Sequence, residues 1–129
     1  MRRIAARSGS ARAQYASEIA MVGAWGITSN IGPIDPDNDK VPLPEGVEAQ
    51  MRRILRNVDA LLAANDMTRD NIVGVTVYLT DTQRLLPRMN AEYVKAFPAD
   101  RLPVRSVVGA VYLTRGAQVE MQFTLAAGA

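Results

Sequence analysis

Two charged residues interrupt stretches whose apolar alternation otherwise reads as β-strand. Arg105 lies in Leu102-Pro103-Val104-Arg105-Ser106 and Glu120 in Gly116-Ala117-Gln118-Val119-Glu120-Met121, with a turn expected around Thr114 to Gly116 between them. Isolated charges in half-buried strands are costly unless they are paired or put to use. An arginine fork recognises a carboxylate bidentately, and a nearby glutamate can hold or activate a water molecule. On adjoining strands and facing one open cavity, the pair would form a small pocket for a carboxylic acid with a hydrolytic carboxylate beside it. The competing reading is structural: Arg105 paired with an acid on a neighbouring strand, and Glu120 in a sheet-edge salt bridge that could include Arg105 itself.

Composition narrows the chemistry further. The chain has no cysteine and no histidine among its 129 residues. The first absence removes disulfides, thiolate nucleophiles and cysteine-ligated metals. The second removes the commonest general base, the Ser-His triad and nearly every zinc site. What remains is carboxylates, Arg, Lys, Tyr, Ser/Thr, backbone groups and water. Apolar residues make up 48%, enough for one aliphatic core, since aromatics are limited to one Trp, four Tyr and two Phe. A single domain is expected at this length. No apolar run is long enough for a transmembrane helix. The formal charge of +2 is too small, and the charges too mixed in sign, to predict a nucleic-acid surface. Arg2, Arg3, Arg7 and Arg12 precede the first acid, Glu18, which is either a transit-peptide-like start or, as we expect, an exposed basic strand and turn.

The elements that must position these residues follow from periodicity. Residues 2–7 fit a first strand, and Glu18 to Val22 with Trp25 to Ser29 fit a hairpin around Gly23-Ala24. Prolines 33, 36, 42 and 44 make Asn30 to Gly46 a long loop. Val47, Met51, Ile54, Leu55, Val58, Leu61 and Leu62 repeat at helical spacing and predict a helix from Val47 to Ala64. Asn71 to Thr80 alternates as a strand. Thr82 to Phe97 predicts a second helix, capped by Asp81 or Thr82 and stopped by Pro98. Strands over Val104 to Tyr112 and Ala117 to Leu125 complete the order β-β-β-α-β-α-β-β, which favours an α+β fold. Val107, Val108 and Val111 beside Val119, Met121 and Phe123 suggest strands apolar on both faces, which two helices cannot cover and a symmetric oligomer can. Trp25 is expected in the core or an interface.

The Pro-Val-Arg-Ser and Gly-Ala-x-Val-Glu segments resemble those of the RidA (YjgF-type) enamine/imine deaminases. So do Gly46-Val47-Glu48-Ala49-Gln50, Val75 through Asp81, and Met89-Asn90-Ala91-Glu92-Tyr93, so that the likeness spans about residues 15 to 126. The resemblance implies a mixed sheet with two helices packed on one face (chorismate-mutase-like), in a homotrimer with clefts between subunits, located in the cytoplasm. It implies hydrolysis of small 2-imino acids, such as 2-iminopropanoate and 2-iminobutanoate, to 2-keto acids and ammonium, with no metal or organic cofactor. On that basis Arg105 would clamp the carboxylate, Glu120 would position water, and Asn90 would lie near the cleft. Ser29 matches the serine of the family's Ser-Gly-Gln segment, but Asn30 and Ile31 replace the glycine and glutamine. Val107 stands where many relatives have cysteine. Tyr15 is one residue out of step with the family's Tyr-Ser pair, and Ala16 takes the tyrosine's place if Ser17 is held in register. These departures leave open a non-catalytic binder of small carboxylates, or a deaminase for a bulkier enamine. The family's older endoribonuclease label finds the least support, because phosphodiester cleavage without histidine or a basic groove would be unusual.

Overall fold

A computed structural model describes residues 1–5 and 15–128. Its elements are β1 (Arg2–Ala5), β2 (Ser17–Val22), β3 (Trp25–Thr28), α1 (Val47–Ala63), β4 (Ile72–Leu79), α2 (Thr82–Ala96), β5 (Val104–Gly109) and β6 (Val119–Ala126), joined by short 3₁₀ turns. The order β-β-β-α-β-α-β-β is as expected, and the fold is α+β. The strands form one six-stranded sheet in the spatial order β1-β2-β3-β6-β4-β5. Neighbours are antiparallel except β4 and β5, which run parallel and are connected through α2. Residues 6 and 7, included in the expected first strand, lie outside the described residues, as does Arg12.

Both helices lie on one face of the sheet. The α1 stripe of Val47, Met51, Ile54, Val58 and Leu62 is buried against Leu85, Met89 and Tyr93 of α2 and against Val75, Val77, Leu79, Val119, Met121, Phe123 and Leu125 of the sheet. The period-3.6 and period-2 patterns therefore meet in one aliphatic layer. Gln50 joins three parts of the chain: its Nε2 donates to the Pro44 carbonyl at 3.0 Å, and its Oε1 accepts from Gln118 N at 2.8 Å.

Several boundaries differ from the sequence reading. β5 ends at Gly109, not Tyr112. Its partner β4 stops at Leu79, and after Ala110 N–H bonds the Leu79 carbonyl there is no further strand to pair with. Val111 and Tyr112 are consequently exposed outside the sheet. Asp81 does precede α2, but it adopts left-handed φ 42°, ψ 52° and makes no side-chain cap. A capping oxygen normally reaches the first N–H groups from extended backbone, and the Asp81 carboxylate instead pairs with Arg84. Thr82 does not cap either; its hydroxyl donates to the Leu79 carbonyl. Phe97, placed in the helix by its periodicity, is extended because Pro98 follows it.

The expectation that both final strands are apolar on both faces holds for β5, with Val107 toward the helices and Val104 and Val108 on the other side, and is corrected for β6. In β6 Val119, Met121, Phe123 and Leu125 face the helices, and Glu120, Gln122, Thr124 and Ala126 face the other way. The uncovered face has its apolar groups elsewhere. Strand pairing sets Val22 beside Trp25, and Ile27 in one row with Thr124, Gly74 and Val104, while Val108 lines up with Tyr78 and Glu120. Val22, Trp25, Ile27, Val104 and Val108 are all exposed. Trp25 is therefore a surface residue of this chain, not part of its core. Among the described residues, no helix is long and apolar enough to cross a membrane.

Candidate functional site

Arg105 sits on β5, an edge strand, and pairs with Val75. Directly paired residues share a face, so its side chain leaves on the helix side, next to α2. There Asn90 and Tyr93, three residues apart and hence on one face of the helix, receive it. Arg105 Nη1 donates to Asn90 Oδ1 at 2.7 Å, and the guanidinium carbon lies 4.8 Å from the Tyr93 ring centroid. Tyr93 is 5% exposed and rests on Phe97, with ring centroids 5.0 Å apart. Burial pushes the Tyr93 phenol above its usual range, and the Arg105 charge partly offsets this. No carboxylate among the described residues pairs with Arg105. Val107, two residues along the same face, is half-buried against the core. Beyond it, a Cβ on Gly109 would stand 3.0 Å from Thr82 Oγ1, so glycine keeps that end of the strand clear.

Glu120 belongs to a different group. It pairs with Tyr78, one residue out of step with Val77 and Leu79 of the core, and its side chain lies on the face away from the helices. It is nevertheless 8% exposed. The segment after β3 covers it: Ile31 exchanges backbone bonds of 2.7 and 3.0 Å with Met121, which sets Asn30 and Gly32 on either side of the carboxylate. Asn30 Nδ2 donates to Glu120 Oε1 at a long 3.4 Å, and Glu120 Oε2 would lie 3.6 Å from a Cβ on Gly32. Ser29 is held by its N–H to the Glu18 carbonyl at 2.9 Å. Asn57 of α1 secures the far end, donating to the Gly32 and Ile34 carbonyls at 3.2 and 2.8 Å while accepting from Arg53.

The expected pocket is thus divided. Arg105, Asn90 and Val107 come together at the β5 edge, and Glu120, Asn30 and Ser29 on the opposite face. β5 and β6 are not adjoining strands, because β4 lies between them. A shared cavity within one chain is excluded, and so is a direct Arg105–Glu120 ion pair. Tyr15 joins neither group; it stands in the turn before β2 and is 84% exposed. Three participants escaped the sequence reading. The sequence places Tyr93 only within the Met89 to Tyr93 segment and the second helix, although its spacing from Asn90 puts both on one helix face. Asn57 and Gly32 carried no signal, since only tertiary contact gives them their role.

A fold of this kind has counterparts among known proteins. The family model described as Endoribonuclease L-PSP matches residues 6–127. A RutC family protein of Aquifex aeolicus is 34% identical over 110 residues, 84% of each chain. A Salmonella typhimurium protein named 2-iminobutanoate/2-iminopropanoate deaminase is 32% identical over 103 residues, 78% of each. Among solved structures, the YjgF gene product of E. coli superposes with a TM-score of 0.76 at 27% identity, covering 96% of this chain and 93% of that one. RidA from an Antarctic Psychrobacter superposes with a TM-score of 0.79 at 25% identity, covering 96% and 94%. The chain belongs to this RidA (YjgF-type) family.

Proposed function

We propose that the protein hydrolyses small 2-imino acids, of the size of 2-iminopropanoate and 2-iminobutanoate, to 2-keto acids and ammonium. The observation that carries this reading is Arg105: an exposed guanidinium held by a neutral amide and an aromatic face, with no acid among the described residues bound to it. A structural arginine would be expected to satisfy its charge within the chain. This one is oriented for a carboxylate that comes from outside.

Because one chain holds Arg105 and Glu120 on opposite faces, the complete site in this proposal lies between copies. The uncovered sheet face, with Glu120 at one end and Val22, Trp25 and Ile27 at the other, packs against the β5 edge of a neighbour. A head-to-tail contact of this kind closes into a ring, and a homotrimer is the assembly we propose. It also removes from water an apolar face of a sort that monomers rarely expose.

In the closed cleft, Arg105 of one copy holds the substrate carboxylate, with Asn90 supporting the guanidinium and Val107 forming the nearby wall. Glu120 of the next copy, beside Ser29 and Asn30, takes a proton from water as the oxygen adds to the C=N carbon. That proton passes to the nitrogen. Glu120 then takes the aminol hydroxyl proton and returns it to the nitrogen, the C–N bond breaks as the C=O of the keto acid forms, and the released ammonia takes a proton from solvent to become ammonium. Positioning and proton relay through one carboxylate are sufficient for a reactive imine.

The test generates 2-iminopropanoate in situ with a serine lyase, traps residual imine with semicarbazide, and compares wild type with Arg105→Ala. Loss of acceleration in the variant is the expected result. Equal rates for the two proteins, with pyruvate binding retained in the wild type, would replace catalysis with a carboxylate-binding role.

A further inference from the structure

We propose that Tyr93 is a positioning residue: its ring is the platform that sets the plane of the Arg105 guanidinium, so that the outer edge of the fork is presented to the substrate carboxylate. This rests on the reading of Arg105 as a carboxylate clamp. Arg105 grows from an exposed edge strand, where a long side chain would otherwise sample many rotamers. Two contacts at different angles restrict it. The guanidinium carbon lies over the Tyr93 ring at 4.8 Å from its centroid, and Asn90 takes one terminal N–H at 2.7 Å. A ring beneath the group together with a hydrogen bond at one end leaves the guanidinium much less freedom to move than either contact alone. The remaining N–H groups are left for bidentate recognition.

The platform is itself rigid. Tyr93 is buried in the helix–sheet core, and Phe97 backs its ring at 5.0 Å and 42°. Its hydroxyl is buried and has no hydrogen-bond partner among the described residues. The hydroxyl therefore contributes nothing visible to holding Arg105, and the work assigned to this residue belongs to the ring. This separates the proposal from a role for the phenol as an acid or base.

The experiment compares Tyr93→Phe, Tyr93→Leu and Tyr93→Met with wild type and Arg105→Ala in the full-length assembled protein. Readouts are kcat and KM for 2-iminopropanoate, Kd for pyruvate by calorimetry, and the Arg105 Nε–Hε resonance by NMR. Loss of a partly exposed cation–π contact corresponds to a weakening of about three- to thirtyfold. We expect KM and Kd to rise by that factor in Tyr93→Leu, with kcat within about twofold, and the ring-shifted Arg105 resonance to move. Tyr93→Phe should restore all three to the wild-type values. If the leucine variant does not fold, Tyr93→Met, which also lacks a ring but keeps more of the volume, answers the same question. An unmoved resonance with unchanged KM in the ring-less variants overturns the proposal, as does a phenylalanine variant as impaired as leucine. A different failure is distinguishable: if Arg105→Ala leaves hydrolysis and pyruvate binding intact while the resonance still depends on the ring, the platform stands and the carboxylate reading falls.

Discussion

Division of the site between two faces of one sheet leads to a quantitative prediction about mixed assemblies. Take Arg105→Ala and Glu120→Gln as separate variants. Arg105→Ala removes a charge-assisted fork worth about 3 kcal/mol, or roughly two orders of magnitude in kcat/KM. Glu120→Gln keeps the shape and the long contact available to Asn30 but removes the proton acceptor, which costs about 10²-fold or more. Each variant alone should therefore retain about 1% of wild-type activity. Now unfold the two together in equal amounts and refold them as mixed assemblies. In the proposed assembly each cleft draws its arginine side and its glutamate side from different copies, and each side is intact with a chance of one half. About one quarter of the clefts are then complete, whatever the number of copies in the ring. Activity of the mixture should rise from about 1% to about 25% of wild type, measured as lyase-generated imine consumed before semicarbazide trapping. Tagged variants, purified for assemblies containing both, sharpen the reading. A mixture no more active than the mean of its two components would refute the argument, because it would mean that one chain supplies both groups to a substrate.

Two further outcomes concern the scaffold. Hydrogen bonding by Arg88, helped by the backbone at the start of α1, holds the Glu48 carboxyl at about 2, well below its ordinary 4.5. Because the folded value is the depressed one, the contribution of this pair is present above pH 4.5 and is lost as pH falls from 4.5 toward 2. Glu48→Gln should flatten the pH dependence of the urea midpoint in that window and leave it unchanged above pH 6; a wild-type slope in the variant would show that other groups carry it. Gly26 lies on the helix-side face of β3, where an added Cβ would stand 2.1 Å from Met21 Sδ and 3.0 Å from the Ala20 carbonyl. Met21 is only 3% exposed and has little room to yield, so Gly26→Ala should destabilise by about 1–3 kcal/mol in chemical denaturation; an unchanged midpoint would mean that the thioether repacks freely.

The chain's local patterns and its tertiary structure decided different things. Apolar spacing along α1 and α2, the prolines of the long loop and the alternation of β4 and β6 specify element type and order, because helical and strand periodicities are local properties. They also set Glu120 on the side of β6 opposite Val119, Met121 and Phe123. The strand containing Arg105 is different: valines at 104, 107 and 108 occupy both parities, so its inward face cannot be read from the chain. That face is fixed by the pairing of Val75 with Arg105, and the distance between the two charges by the insertion of β4 between β5 and β6. Strand order and register are contacts between residues distant in sequence, and a shift of one residue reverses every side chain. The chemistry was therefore legible as residue types, while the separation of guanidinium from carboxylate, and the need for a second copy that we infer from it, were decided only by which strands pair.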